Sequence, residues 1–160
     1  MSHVAEVGLT ITDLDALEAA ASRIGLELRR GQRTHAWWGS FLNDWSDNTR
    51  AAALKGRDPK TFGHCDHAIG VAGATPRNGS GGNWEIGLVA RKDGQGFDAI
   101  YDSYGNAGGL TAKAGADLRT LKEEYGIEVA MRRLKHKRFN VKREVNAAGR
   151  PVLVATRRGN

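Results

Sequence analysis

Four consecutive positions, His64, Cys65, Asp66 and His67 in the stretch TFGHCDHAIGVAG, gather side chains that bind metals or carry out nucleophilic chemistry. Imidazole, thiolate and carboxylate suit zinc or another transition metal, and an imidazolium beside a thiol lowers its pKa. On a helix, the spacing of three would put both imidazoles on one face. Gly63 ahead and AIGVAG behind instead read as a loop running into a strand, where adjacent side chains diverge. A metal would then need ligands from elsewhere, with His3, His35 and Asp102 as the candidates. No oxyanion-hole glycine motif follows Cys65, and a free cysteine is more often a small buried apolar group. The expectation is a strand mouth whose polar groups are met by hydrogen bonds, with no metal and no cofactor; His64, Cys65 and His67 are the candidates should a metal- or thiol-dependent enzyme be centred here.

A second constellation is aromatic. Trp37, Trp38, Phe41 and Trp45 fall within nine positions in HAWWGSFLNDW, a region without clear periodicity. They read either as a local cluster pinning a long loop to the body, or as an exposed surface that anchors a protein partner or stacks on bases. Arg29, Arg30 and Arg33 add cationic groups nearby. In YDSYG, Tyr101 and Ser103 share a strand face with Asp102 on the other. One carboxylate without a matched acid or base specifies no reaction, so Asp102 is expected to accept backbone hydrogen bonds. The glycines at 105, 108 and 109 match no phosphate-binding loop.

The third constellation is charge. Of the net +6, the segment from Val129 onward carries ten Lys and Arg against Glu144 alone, a balance of +9 that leaves −3 on residues 1–128. Arg132, Arg133, Lys135, Lys137, Arg138, Lys142 and Arg143 form the candidate nucleic-acid surface, spread around a helix end and onto the next strand. Helix C-termini favour cations in any case. No helix-turn-helix, zinc-finger or RNA-recognition motif accompanies them.

These groups must be held by elements read from pattern. At 160 residues, with 40% hydrophobic and 26% charged residues, the chain is expected to form one domain with a continuous core. No apolar run approaches the roughly 20 residues that span a bilayer, and the N-terminus lacks a leader pattern. A cytoplasmic protein without membrane contact is expected. Val7, Leu9 and Ile11 alternate as a strand; Thr12 and Asp13 offer a cap to DLDALEAAASRIGL, helical by the spacing of Leu14, Leu17, Ala21 and Ile24. Leu26 and Leu28 open a second strand. Residues 39–83 form a long irregular insertion, with a short helix at 49–56 and a strand at HAIGVA. Trp84 to Ser103 alternate around a turn at 92–96, a β-hairpin. The segment from Asp117 to Phe139 is helical, yet Leu118, Leu121, Tyr125 and Val129 lie opposite Ile127, Ala130, Met131 and Leu134. Either that helix breaks near Gly126 or it is covered on both sides. NVKREVN and RPVLVATRR close the chain as a second hairpin. The expected fold is α+β: a single mostly antiparallel sheet packed by two helices, with residues 39–83 inserted.

MSH followed by a strand and TDLDALEAA, then KGRDPKTFGHCDHAI, WEIGLVARKDGQGFDAIYDSYG and LKEEYGIEVAMRRLKHKRF ahead of a terminal hairpin, resembles the domain-of-unknown-function family containing the hypothetical chloroplast reading frame 35 proteins, with relatives in cyanobacteria and tailed bacteriophages. Order and spacing of the motifs carry the resemblance over most of the chain. It implies a small cytosolic accessory protein, and the insertion points to a bacteriophage member. The functional expectation is a non-enzymatic accessory protein that binds an unidentified macromolecular partner of host or virion, with Trp37, Trp38, Phe41 and Trp45 as contact residues. Nucleic-acid binding through the basic C-terminal third is the alternative.

Overall fold

The structure, a computed structural model, describes residues 4–39, 58–103 and 109–157. The expected helix at 49–56, and with it Phe41 and Trp45, lies outside these residues. Strand β1 (Val4–Ile11) leads into helix α1 (Leu14–Arg23), and β2 (Leu26–Arg30) follows. Asp13 caps α1 as its side chain demands, Oδ1 accepting from the Ala16 N–H at 2.9 Å. Strands β3 (His67–Val71), β4 (Ile86–Ala90) and β5 (Phe97–Asp102) then form a meander. Helices α2 (Leu110–Ala114) and α3 (Arg119–His136) precede a hairpin of β6 (Phe139–Val145) and β7 (Pro151–Arg157).

The first five strands make one sheet in the order β1-β5-β4-β3-β2, every neighbouring pair antiparallel. Consecutive β1 and β2 thus sit at opposite edges, and α1 is the crossover between them. Register decides the faces. Leu28 pairs with Ile69, Ile69 with Ile86, and Leu88 with Ala99, so these side chains share the face covered by helices. There they meet Leu17, Ala20 and Ala21 of α1, Leu110 and Ala114 of α2, and Leu121 and Tyr125 of α3. Each large apolar side chain buried this way contributes roughly 1.5–3 kcal/mol. The α+β class and the mostly antiparallel sheet are as the pattern predicts, with the terminal hairpin standing as a separate two-stranded sheet.

The ambiguity over α3 resolves in favour of cover on both sides. The helix runs unbroken through Gly126. Leu121 and Tyr125 are buried in the core on the body side and Met131 is buried as well, while the hairpin packs along the helix, Pro151 and Ile127 lining one recess. Two acids on the buried side bind the layers together. Glu128 takes Arg23 of α1 at 2.6 Å and Arg132 at 3.0 Å, and Glu124 takes both terminal nitrogens of Arg143 from β6 at 2.6 Å. The Tyr125 hydroxyl accepts from the Thr12 and Asp13 N–H groups, fixing α3 against the start of α1.

Candidate functional site

The second face of the sheet is covered differently. Beyond Gly31 the β2 chain continues past the strand end: Thr34 bridges His64, the Cys65 N–H donates to the Arg33 carbonyl at 2.9 Å, and the His35 N–H donates to Gly63 at 2.8 Å. Segments 32–38 and 58–66 therefore lie over strands whose outward residues include Ala68, Gly70 and Gly87. Small residues there let the covering chain approach closely. A Cβ on Gly87 would stand 2.4 Å from His35 Nδ1, so the imidazole rests on bare backbone.

This arrangement separates the His-Cys-Asp-His side chains. His64 is exposed. Cys65 is buried, and its Sγ donates to the Gln32 carbonyl at 3.2 Å. Asp66 takes Arg33 at 2.9 Å and the Ala90 N–H at 2.8 Å. His67 Nδ1 accepts from the Gly31 N–H, with its ring edge-on to Phe97. Burial, then the carboxylates of Glu85 and Asp66, push the Cys65 thiol up to about 12, away from nucleophilic use. Among the described residues no three His, Cys, Asp or Glu side chains converge on a point a metal could occupy. His3 lies outside them, and Asp102, fully buried, accepts from the Trp38 N–H at 3.4 Å.

Glu85 organises the covered face and was not singled out by pattern. Although 1% exposed, it is fully met: Arg29 at 2.5 Å, Gln32 Nε2 at 2.8 Å and the Ala36 N–H at 2.9 Å. Next to it, His35 is 3% exposed and neither ring nitrogen has a protein partner among the described residues. Burial, with the charge of His64 second, holds its pKa down to about 4, so the ring is neutral. The arginines near the tryptophans are already engaged: Arg29 with Glu27 and Glu85, Arg30 with Asp15 and Glu18, Arg33 with Asp66.

Trp37 is buried, edge-on to Phe62 at 4.5 Å and packed with Ile100. Its backbone is held by the Asn78 side chain and the Gly79 N–H. A Cβ at Gly63, whose φ is +100°, would meet the Trp37 indole nitrogen at 2.8 Å. Trp38 is half-buried, edge-on to Trp84 at 5.9 Å. These two tryptophans fasten segment 36–38 to the sheet, the pinning role open to them from sequence.

The seven basic residues divide. Arg132 and Arg143 are turned inward onto Glu128 and Glu124. Arg133, Lys135, Lys137, Arg138 and Lys142 are exposed, and none of them has an acidic partner among the described residues. They occupy the last turn of α3, the turn after it and the outward face of β6. Further along α3, Arg119 and Lys122 join Arg150 of the hairpin tip around an open recess. Sequence reasoning passed over that recess; its signal was Gly126, a glycine inside a helical pattern. Comparisons with protein-family models, curated proteins and solved structures found no match to this chain.

Proposed function

We propose that the chain is a non-enzymatic accessory protein whose contact surface is its basic end and whose partner is nucleic acid. The observation that carries this reading is the contrast between neighbours of the same type. Arg132 and Arg143 spend their charge inside the fold, whereas Arg133, Lys135, Lys137, Arg138 and Lys142 present theirs to solvent. Cations gathered on one end without intramolecular acids attract phosphates by releasing condensed counterions. The raised Cys65 pKa speaks against thiol catalysis as a competing reading.

The test is a fluorescence-anisotropy titration of labelled oligonucleotides over a salt series. If all five groups meet phosphates, the slope of log K on log[salt] should lie near −4.5 for duplex DNA, at about −0.9 per contact. Replacing the five by glutamine should remove most of that slope. Salt-insensitive binding, or none, refutes the reading. Capture from a host lysate of a discrete protein that survives nuclease treatment would assign the protein instead to a host or virion partner, as the aromatic segment first suggested.

A further inference from the structure

The recess between α3 and the hairpin tip has a volume of about 590 Å³ and an apolar floor of Ile127 and Pro151, with Arg119, Lys122 and Arg150 at its rim. We infer that it seats one unpaired base of a single-stranded nucleic acid, with the adjoining phosphates on those three cations. This rests on the reading of the basic end as a nucleic-acid surface, and it adds the form of the nucleic acid.

Three observations support it. The first is Gly126, which is exposed, lies well inside an unbroken helix, and has nothing within 4 Å of where a Cβ would stand. Of all residues only proline suits a helix interior less, and no neighbour among the described residues requires the glycine. It leaves the helix backbone open to close approach from outside. The second is the pattern along the outward side of α3. Arg119, Lys122, Gly126, Ala130, Arg133 and Lys137 recur at helical spacing, opposite the buried Leu121, Tyr125, Glu128 and Met131. Cations thus stand at both ends of a strip with little side-chain bulk in its middle, about 21 Å from Arg119 to Arg133 at 1.5 Å per residue. The recess therefore lies on the same side of α3 as the exposed Arg133 and Lys137.

The third is the match of chemistry. An apolar floor within a side chain's length of a basic rim suits a nucleotide, which joins the face of a base to an anionic phosphate. Glu123, the one acid among the described residues lining the recess, can accept a hydrogen bond from a base amine. Shape then separates strand types. A duplex shows its base edges only at the bottom of grooves, where a protruding element must reach them. The middle of this face is recessed, so the guest must protrude into it, as an unpaired base on a flexible strand does.

The experiment compares mixed-sequence single-stranded DNA, single-stranded RNA and duplex DNA of equal length, by anisotropy, on the full chain and on Gly126→Gln. Glutamine is a good helix former, so the thermal midpoint should hold or rise, which shows the fold intact. Filling the recess should weaken single-strand binding roughly tenfold, the worth of about 55 Å² of apolar surface no longer buried, and leave duplex binding, carried by Arg133 to Lys142, as it was. Equal weakening on both forms, or none on the single strand, overturns the recess while the basic-end reading stands. Failure of the unaltered chain to bind any oligonucleotide overturns both. Binding of polyglutamate more tightly than of oligonucleotide, lost in Gly126→Gln, would assign the recess to an acidic protein and overturn the proposal.

Discussion

Replacing His35 by alanine should flatten the dependence of stability on pH between about 4 and 6.5. The ring is 3% exposed, unpartnered at both nitrogens within the described residues, and pressed onto the Gly87 backbone with Phe62 edge-on at 5.2 Å. Burial lowers its folded pKa from 6.5 to about 4. Within that window the unfolded chain binds a proton that the folded one does not, so the contribution of His35 is complete above pH 6.5 and disappears as pH falls towards 4. At about 1.4 kcal/mol for each pH unit, the loss comes to about 3 kcal/mol. His67, also lowered by burial, acts in the same direction, and the carboxyls of Glu124 and Glu27, lowered by Arg143 and Arg29, contribute towards the acid end, but all three groups are present in both proteins and cancel in the difference. Urea denaturation from pH 4.5 to 8 measures the difference, and parallel profiles for the two proteins would refute it. Gly87→Ala probes the same contact from the sheet. With a Cβ 2.4 Å from Nδ1, overpacking of about 1–3 kcal/mol less the gain of about 0.4–1 kcal/mol from a stiffer unfolded chain leaves a net loss of about 1–2 kcal/mol. In the His35→Ala background that loss should vanish; an equal loss in both would show that the two residues do not press on each other.

Two further predictions concern groups tied into the fold. Glu124→Ala leaves the half-buried Arg143 without its carboxylate and should cost about 2–3 kcal/mol, read as a lower urea midpoint. Because Arg143 holds the Glu124 carboxyl below its usual 4.5, this contribution is complete above pH 4.5 and fades only as pH falls further; an effect that instead fades between pH 7 and 5 would disprove the assignment. Cys65, with its thiol pushed up to about 12, should react with a disulfide reagent at pH 8 about a thousandfold more slowly in the folded protein than in urea. Rapid stoichiometric labelling of native protein would restore it as a reactive group.

What could be read in advance was what depends on neighbours in sequence. The alternation of Ile86, Leu88 and Ala90 and of Phe97, Ala99 and Tyr101 survives as β4 and β5 because both strands keep one face on the core. α1 follows from an aspartate cap and alanine-rich spacing. The covered second face follows from no local rule: Glu85, Arg29, Gln32 and His35 come together only because the chain beyond Gly31 bends over Gly87 and pairs with residues 63–65. A buried glutamate looks like any surface acid until its arginine is located. For the same reason Trp37 and Trp38 read either as exposed contacts or as packing until Phe62 and Trp84 were placed beside them.

The basic end shows how tertiary pairing turns a charge count into a surface. From sequence, residues 129 onward carry a balance of +9, and every lysine or arginine counts alike. Folding removes some from the account, because Glu124 and Glu128 on the inner side of α3 claim Arg143 and Arg132 along with Arg23 of α1. Those two acids precede Val129, so they were tallied with the acidic part of the chain although in space they neutralise the basic part. The exposed charge is correspondingly smaller than the composition suggests, and five of these cations stand together at the end of α3, in the turn after it and on one face of β6, with Arg150 and Arg157 exposed on the hairpin. A salt slope that owes nothing to Arg132 or Arg143 would therefore be a statement about which arginines α3 keeps for itself. If replacing Arg132 and Arg143 by glutamine lowered the slope as two phosphate contacts would, both would have to leave their carboxylates on binding, and Arg143 would have to release β6 from α3.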